Sequence, residues 1–352
     1  TGDSTIAGLT SIDGSNGVGR VHYTSIADSA QNLWDGSALN AYVGDGINIT
    51  VTDGISISEL MAIESAIGAG TLGYSQVSDT AESLGSAQDL LLSQSGITSV
   101  KIVDSNALDL TVTPGNLSLI EGLLSKIDLG DGSVSLTGSA ADLMAIEADW
   151  ATSSQTNKVS ALHVSGVATV DQLGSLIDNY GSLIQSVSVS DTAQNITDNL
   201  AGLGSNLSSV ASVDVSDGGV IYVSESEFNN DLDVLGLLRS ELGSIEINVS
   251  NVAAANAEAI GNQSFDHGYV SQVNVQDAAD AIVANLASLQ ATYRLGDISF
   301  TDSGTPTLSL TRDQLSSDGS VLDHLIDSAN LVVTGAAAAS ASSIANALYG
   351  SG

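Results

Sequence analysis

Asp28-Ser-Ala-Gln-Asn32, Asp79-Thr-Ala-Glu-Ser83, Asp191-Thr-Ala-Gln-Asn195 and Asp277-Ala-Ala-Asp-Ala281 are versions of one phrase. Each is followed 25 or 26 residues later by another aspartate behind a short apolar stretch: Asp53, Asp104, Asp217 and Asp302. Working outward gives a ladder at Asp28, Asp53, Asp79, Asp104, Asp131, Gly166, Asp191, Asp217, Asn251, Asp277, Asp302 and Gly335. Most steps are 25–27 residues, and every third rung carries one of 33–35. A fixed period of this length is the mark of a repeat architecture, in which each unit buries its apolar face against its neighbours.

The residues before each ladder position set the local structure. Two residues upstream stand Ile26, Val51, Val77, Ile102, Leu129, Val164, Val189, Val215, Val249, Val275, Phe300 and Val333, all apolar. The residue between them and the ladder position is usually polar. That alternation predicts a short strand with one buried face. The ladder residue is Asp, Asn or Gly throughout, types that cap helices or accept left-handed backbone. After Asp191 the apolar residues Ala193, Ile196, Leu200 and Leu203 lie on one helical face, as do Ala279, Ile282, Leu286 and Leu289 after Asp277. Elsewhere a second short strand precedes the helix, at Ile55–Ile57, Val220–Val223 and Leu308–Leu310.

The expected fold is therefore α/β, a repeat solenoid of about twelve strand–turn–helix rungs with a parallel sheet. Residues 21–352 are expected to form this single repeat domain, with Ala336 to Leu348 as the last helix. Residues 1–20 do not fit the register and are expected to be an N-terminal cap, a linker or a strand donated to another copy. The chain starts at Thr1 without Met, which suggests a processed product or a fragment.

Composition narrows function more than it identifies it. Forty-one acidic residues against seven basic ones give a net charge of −34. Nucleic-acid binding, which needs a basic footprint, is not expected. Membrane insertion is not expected either, because the long uncharged stretch Ser328–Gly352 is Ala, Ser and Gly rather than Leu and Phe. With 43% hydrophobic residues the chain can still bury a core. There is no cysteine, so neither disulfides nor cysteine-based zinc sites are available.

The acidic ladder is the feature closest to chemistry. Its simplest role is capping, each aspartate accepting N–H bonds from its own helix or turn. The other role is Ca²⁺ binding between rungs, with Asp53, Asp131, Asp217 and Asp302 as the candidate ligands. No motif requires a cofactor. His22, His163, His267 and His324 are scattered, without the i, i+4 spacing of a helical metal site. The seven basic residues form no cluster in the sequence, so nothing is placed to receive an acidic substrate.

Val189-Ser-Asp-Thr-Ala-Gln-Asn-Ile196, Val275-Gln-Asp-Ala-Ala-Asp-Ala-Ile282 and Ile298–Leu310 resemble repeats of very large secreted bacterial proteins. Those are surface-layer-like, adhesin-like and type I-secreted proteins. The resemblance spans residues 24–348 as a repeat style, and it implies export, long arrays and a surface role. The glycine-rich Ca²⁺-binding nonapeptides of type I-secreted proteins have no counterpart here. The expected function is a non-catalytic extracellular structural protein, a self-assembling building block of a surface layer, matrix or filament. Its partners would be other copies of itself or adjoining domains of a longer chain. An adhesin-type module recognising glycan or protein is the alternative, and a carbohydrate-active solenoid enzyme is a third. Exposed aromatic residues clustered on the strand face would favour the adhesin, but Trp34, Trp150 and Tyr222 lie far apart in sequence.

Overall fold

Among the described residues, each strand pairs in parallel with a strand of a neighbouring repeat. A computed structural model describes residues 3–146 and 158–336, and within them the chain is mixed α/β, with sixteen helices and six parallel sheets. Trp150 and positions 337–348 of the expected last helix lie outside the described residues. The chain divides into two compact units, 1–166 with 175–185, and 167–174 with 186–352.

In the first unit one sheet is built from Ser25–Asp28, Asn48–Val51 and Leu72–Gly73. A second runs through Gly54–Ile55, Gln76–Asp79, Ser99–Ile102 and Ile127–Asp128. The third joins Ala107–Thr111, Ser133–Gly138 and Val159–Val164. The second unit repeats the scheme. Its sheets are Val167–Ala168, Val187–Asp191, Val210–Val215 and Leu238–Arg239, then Ile221–Ser224, Ile245–Val252, Gly268–Asp277 and Leu295–Phe300, then Thr307–Thr311 and Asn330–Thr334. Alternate side chains enter the core, as in the exposed–buried alternation along Asn48–Val51 and Ala107–Thr111.

At several rungs the pairing register differs from the sequence ladder by two residues. The ladder aligns Ile26 with Val51, but Ile26 lies beside Ile49. Likewise Val77 faces Val100, Val189 faces Val213 and Val275 faces Ile298. A shift of two keeps every side chain on its own face, so apolar alternation alone cannot distinguish the two registers. Eight of the twelve apolar positions before the ladder are buried, while Leu129, Val164, Phe300 and Val333 are half-buried.

The helices are short and start at defined caps. Helix Ile57–Ile67 opens on Ser56, whose hydroxyl accepts from Glu59 N–H while the Glu59 carboxylate accepts from Ser56 N–H. It buries Ile57, Leu60, Ile63 and Ile67 along one face. Ile57 thus begins a helix, where the sequence pattern placed it in a strand. After Asp191 the expected face is buried in full, but as two helices, Ala193–Asp198 and Leu200–Ser205. The break falls at Asn199, whose side-chain amide donates to the Asn195 carbonyl and competes with the helical bond. Asn285 does the same with the Ala281 carbonyl between Ala279–Ala284 and Leu286–Ala291.

The N-terminal segment continues the ladder by one step. Ser4 bridges Ile26 in parallel, and helix Ile6–Asn16 follows with Leu9 buried. Ser4 occupies the ladder position in place of Asp, Asn or Gly, which hides the step in the sequence.

Candidate functional site

The two-residue stagger gives the ladder aspartates their task. Because Asp28 lies opposite Val51, Asp53 lies opposite Ala30, the first residue of the preceding helix. Asp53 Oδ1 accepts from Ala30 N–H at 2.8 Å. The same bond recurs in both units. Asp28 takes Ile6 N–H, Asp79 takes Ile57 N–H and Asp104 takes Ala81 N–H. Asp191 takes Val170 N–H, Asp217 takes Ala193 N–H, Asp277 takes Ala254 N–H and Asp302 takes Ala279 N–H. Each partner lies 21–24 residues upstream.

Seven of these bonds complete helix starts that local residues only half satisfy, and the eighth, at Ala254, falls in the turn before helix Ala257–Gly261. A helix opens with four unpaired N–H groups. At Ser29, Thr80 and Thr192 the cap hydroxyl takes the N–H three residues on, and the aspartate of the next repeat takes the first-residue N–H. The expectation that each aspartate caps its own helix is thus half of the arrangement. Asp28, Asp79, Asp191 and Asp277 also accept from the N–H that immediately follows them, so each of the four joins two repeats.

Three of the non-aspartate positions follow from backbone geometry. Gly166, Asn251 and Gly335 have φ of 82°, 56° and 74°, in the left-handed region that disfavours most side chains. At Asn251 the polarity reverses: Glu225 of the preceding helix sends its carboxylate forward to Ala253 N–H and the Asn256 side-chain amide.

The candidate Ca²⁺ ligands divide along these lines. Asp53, Asp217 and Asp302 each hold an upstream N–H, and Asp217 Oδ1 also accepts from Gly219 N–H. Asp131 is exposed and makes no such bond among the described residues. Among the described residues no three His, Cys, Asp or Glu side chains form a group that could hold a metal ion. His22, His163 and His267 are exposed, and His324 is half-buried.

Three ladder carboxyls are held below their ordinary value. Burial pushes Asp28 up, but bonds from the Asn32 amide and from the Ile6 and Ser29 N–H groups outweigh it. Asp104 is held down chiefly by Ala81 N–H, and Asp217 by Gly219 and Ala193 N–H. A carboxyl lowered by folding stabilises fully above its unfolded pKa, and that stabilisation is lost as pH falls through the lower folded value. Acid titration followed by amide exchange is therefore expected to release Ile6, Ala81 and Ala193 N–H only below the ordinary carboxylate value of 3.8. Release of these amides between pH 6 and 5 would contradict the arrangement.

One strand face carries aromatic groups that the sequence reading did not collect. Tyr222 is exposed on Ile221–Ser224, and Tyr269 is half-buried on Gly268–Asp277 of the same sheet. The Arg294 guanidinium lies 4.0 Å from the Tyr269 ring centre and 4.8 Å from that of exposed Tyr293. The Tyr269 hydroxyl donates to Glu246. Asn248, Gln272 and Asn274 link their amides alongside. The available signal was the 24-residue spacing of Tyr269 and Tyr293, one repeat step apart.

Among the described residues, no helix is long and apolar enough to cross a membrane. Comparison with protein-family models, curated proteins and solved structures finds no match to this chain.

Proposed function

We propose that this chain is a non-catalytic extracellular building block, a solenoid of about twelve strand–turn–helix rungs that associates with copies of itself or with adjoining domains of a longer chain. The observation that carries this reading is the use of the ladder carboxylates. Eight of them, the most regular polar feature of the sequence, are engaged in joining one repeat to the next. A surface-layer, matrix or filament segment needs that kind of longitudinal cohesion. Strand Asn330–Thr334 supports association, because it has one paired edge among the described residues and exposes Val332. The test is imaging at physiological ionic strength, with and without Ca²⁺. Sheets, strings or fibres are expected, and a strictly monomeric particle under both conditions overturns the reading.

The tyrosine face favours a second reading, an adhesin-type module for glycan. Exposed rings beside side-chain amides suit the apolar faces and hydroxyls of a neutral sugar. Under that reading Tyr222→Ala weakens binding to a neutral oligosaccharide and leaves particle assembly unchanged.

A further inference from the structure

The tyrosine face of the second unit has an internal order that scattered exposed rings would lack. In the sheet of Ile221–Ser224, Ile245–Val252, Gly268–Asp277 and Leu295–Phe300, Tyr222 lies opposite Asn248, and Asn248 lies opposite Gln272. Arg294 continues the row, because Leu295 after it pairs with Val273 after Gln272. Four successive strands thus present Tyr, Asn, Gln and Arg in one line, which spans roughly 14 Å at the usual strand spacing.

The middle of the line is held in place by its own bonds. Asn248 Nδ2 donates to Gln272 Oε1 at 3.1 Å, Gln272 Nε2 to Asn274 Oδ1 at 2.9 Å and Asn274 Nδ2 to Asn248 Oδ1 at 2.9 Å, which closes a ring of three amides. Each amide nitrogen carries two N–H groups and spends one of them in this ring. Gly296 lies beside the ring, and a side chain there would collide with Gln272 and Asn274. At the end of the line, Arg294 has φ of 60°. That backbone suits glycine or asparagine, so the arginine is accounted for by its side chain. The guanidinium lies close to the Tyr269 and Tyr293 rings and donates to the Val270 carbonyl at 3.3 Å.

We propose that this line is a track for one neutral, extended polysaccharide chain, with successive sugar rings laid across successive strands. The inference rests on the glycan-binding reading and specifies its ligand. Exposed Tyr222 at one end and exposed Tyr293 at the other offer faces for sugar rings, and the amides between them offer partners for hydroxyls. A single sugar is shorter than the line, so a ligand that touches both ends has to be an oligomer. Equatorial β-1,4 linkages hold successive pyranose rings in a flat, extended ribbon, which suits a row running across paired strands. Axial linkages coil the chain away from such a row. An acidic polysaccharide is repelled by the net charge of −34.

The test is calorimetric titration of the full chain with cello-oligosaccharides of increasing length, from the disaccharide upward, with malto-oligosaccharides of equal length as the α-linked comparison. Affinity is expected to rise at least tenfold from the disaccharide to the tetrasaccharide and to level off beyond it. The malto series is expected to bind at least tenfold more weakly. Tyr222→Ala and Arg294→Gly act at opposite ends of the line, and each is expected to weaken tetrasaccharide binding at least tenfold. Glycine suits the backbone at position 294, so Arg294→Gly is expected to keep the wild-type Tm, which separates lost binding from lost folding. Equal affinity for disaccharide and tetrasaccharide, or an effect from only one of the two variants, overturns the extended track and leaves glycan recognition standing. Binding of the malto series alone does the same. Absence of binding in both series overturns the track and the glycan reading together.

Discussion

Leu136→Ala is expected to lower the stability of the first unit by about 2–5 kcal/mol. Leu136 is wholly buried, and its strand is central in its sheet, so Leu110 and Leu162 flank it in register. Removing three heavy-side-chain carbons forfeits their transfer energy and leaves a hole between two fixed neighbours. Collapse into that hole is resisted because Ser133–Gly138 is hydrogen-bonded along both edges. Leu136→Val keeps most of the volume and is expected to cost about 1 kcal/mol. Urea titration is the measurement, with the slope unchanged and the midpoint lowered. Amide exchange should accelerate first in Ala107–Thr111 and Val159–Val164, the strands that lose packing. A cost below 1 kcal/mol for the alanine variant would mean that this central strand is not packed as described.

Asp28→Ala is expected to cost about 2–3 kcal/mol, more than an ordinary helix-cap deletion. Asp28 is nearly buried and accepts from Ile6 N–H, Ser29 N–H and the Asn32 side-chain amide at 2.8, 2.8 and 2.7 Å. Alanine strands the buried Ile6 N–H and removes the partner of Ser29 N–H and of the exposed Asn32 amide, and a buried donor left unsatisfied costs its full desolvation penalty. Asp53→Ala frees Ala30 N–H from an exposed carboxylate and is expected to cost about 1 kcal/mol. The distinguishing observation is spatial. Asp28→Ala should speed exchange at Ile6, 22 residues upstream, as well as at Ser29. Faster exchange at Ser29 alone would show that the carboxylate acts only within its own repeat.

These two sites also mark how far the sequence could be read. Strand positions such as Val77, Val189 and Val275 were legible because the apolar alternation has the strand period. The helical face Ala193, Ile196, Leu200 and Leu203 was legible for the corresponding reason. The register was not, because pairing Val77 with Ile102 or with Val100 buries the same faces. The direction of capping was hidden with it: only the two-residue stagger places Asp104 beside Ala81 rather than beside its own helix. Ser4 carried no ladder signal, so residues 1–20 looked separate. Asp231 follows Asn229 and Asn230 outside every periodic position, and its burial is a property of packing alone. Tyr269 and Tyr293 are linked through Arg294, whose guanidinium lies close to both rings.

The upstream direction of the aspartate bonds makes synthesis order matter. A helix leaving the ribosome lacks its final anchor until a further 21–24 residues have been made. At translation rates of about 5–20 residues per second, that delay lasts roughly 1–5 s. The newest repeat of a nascent chain is therefore always the loosest, and each arrival locks its predecessor. Maturation runs from the first residue towards the last, like a zip fastener whose slider moves one way.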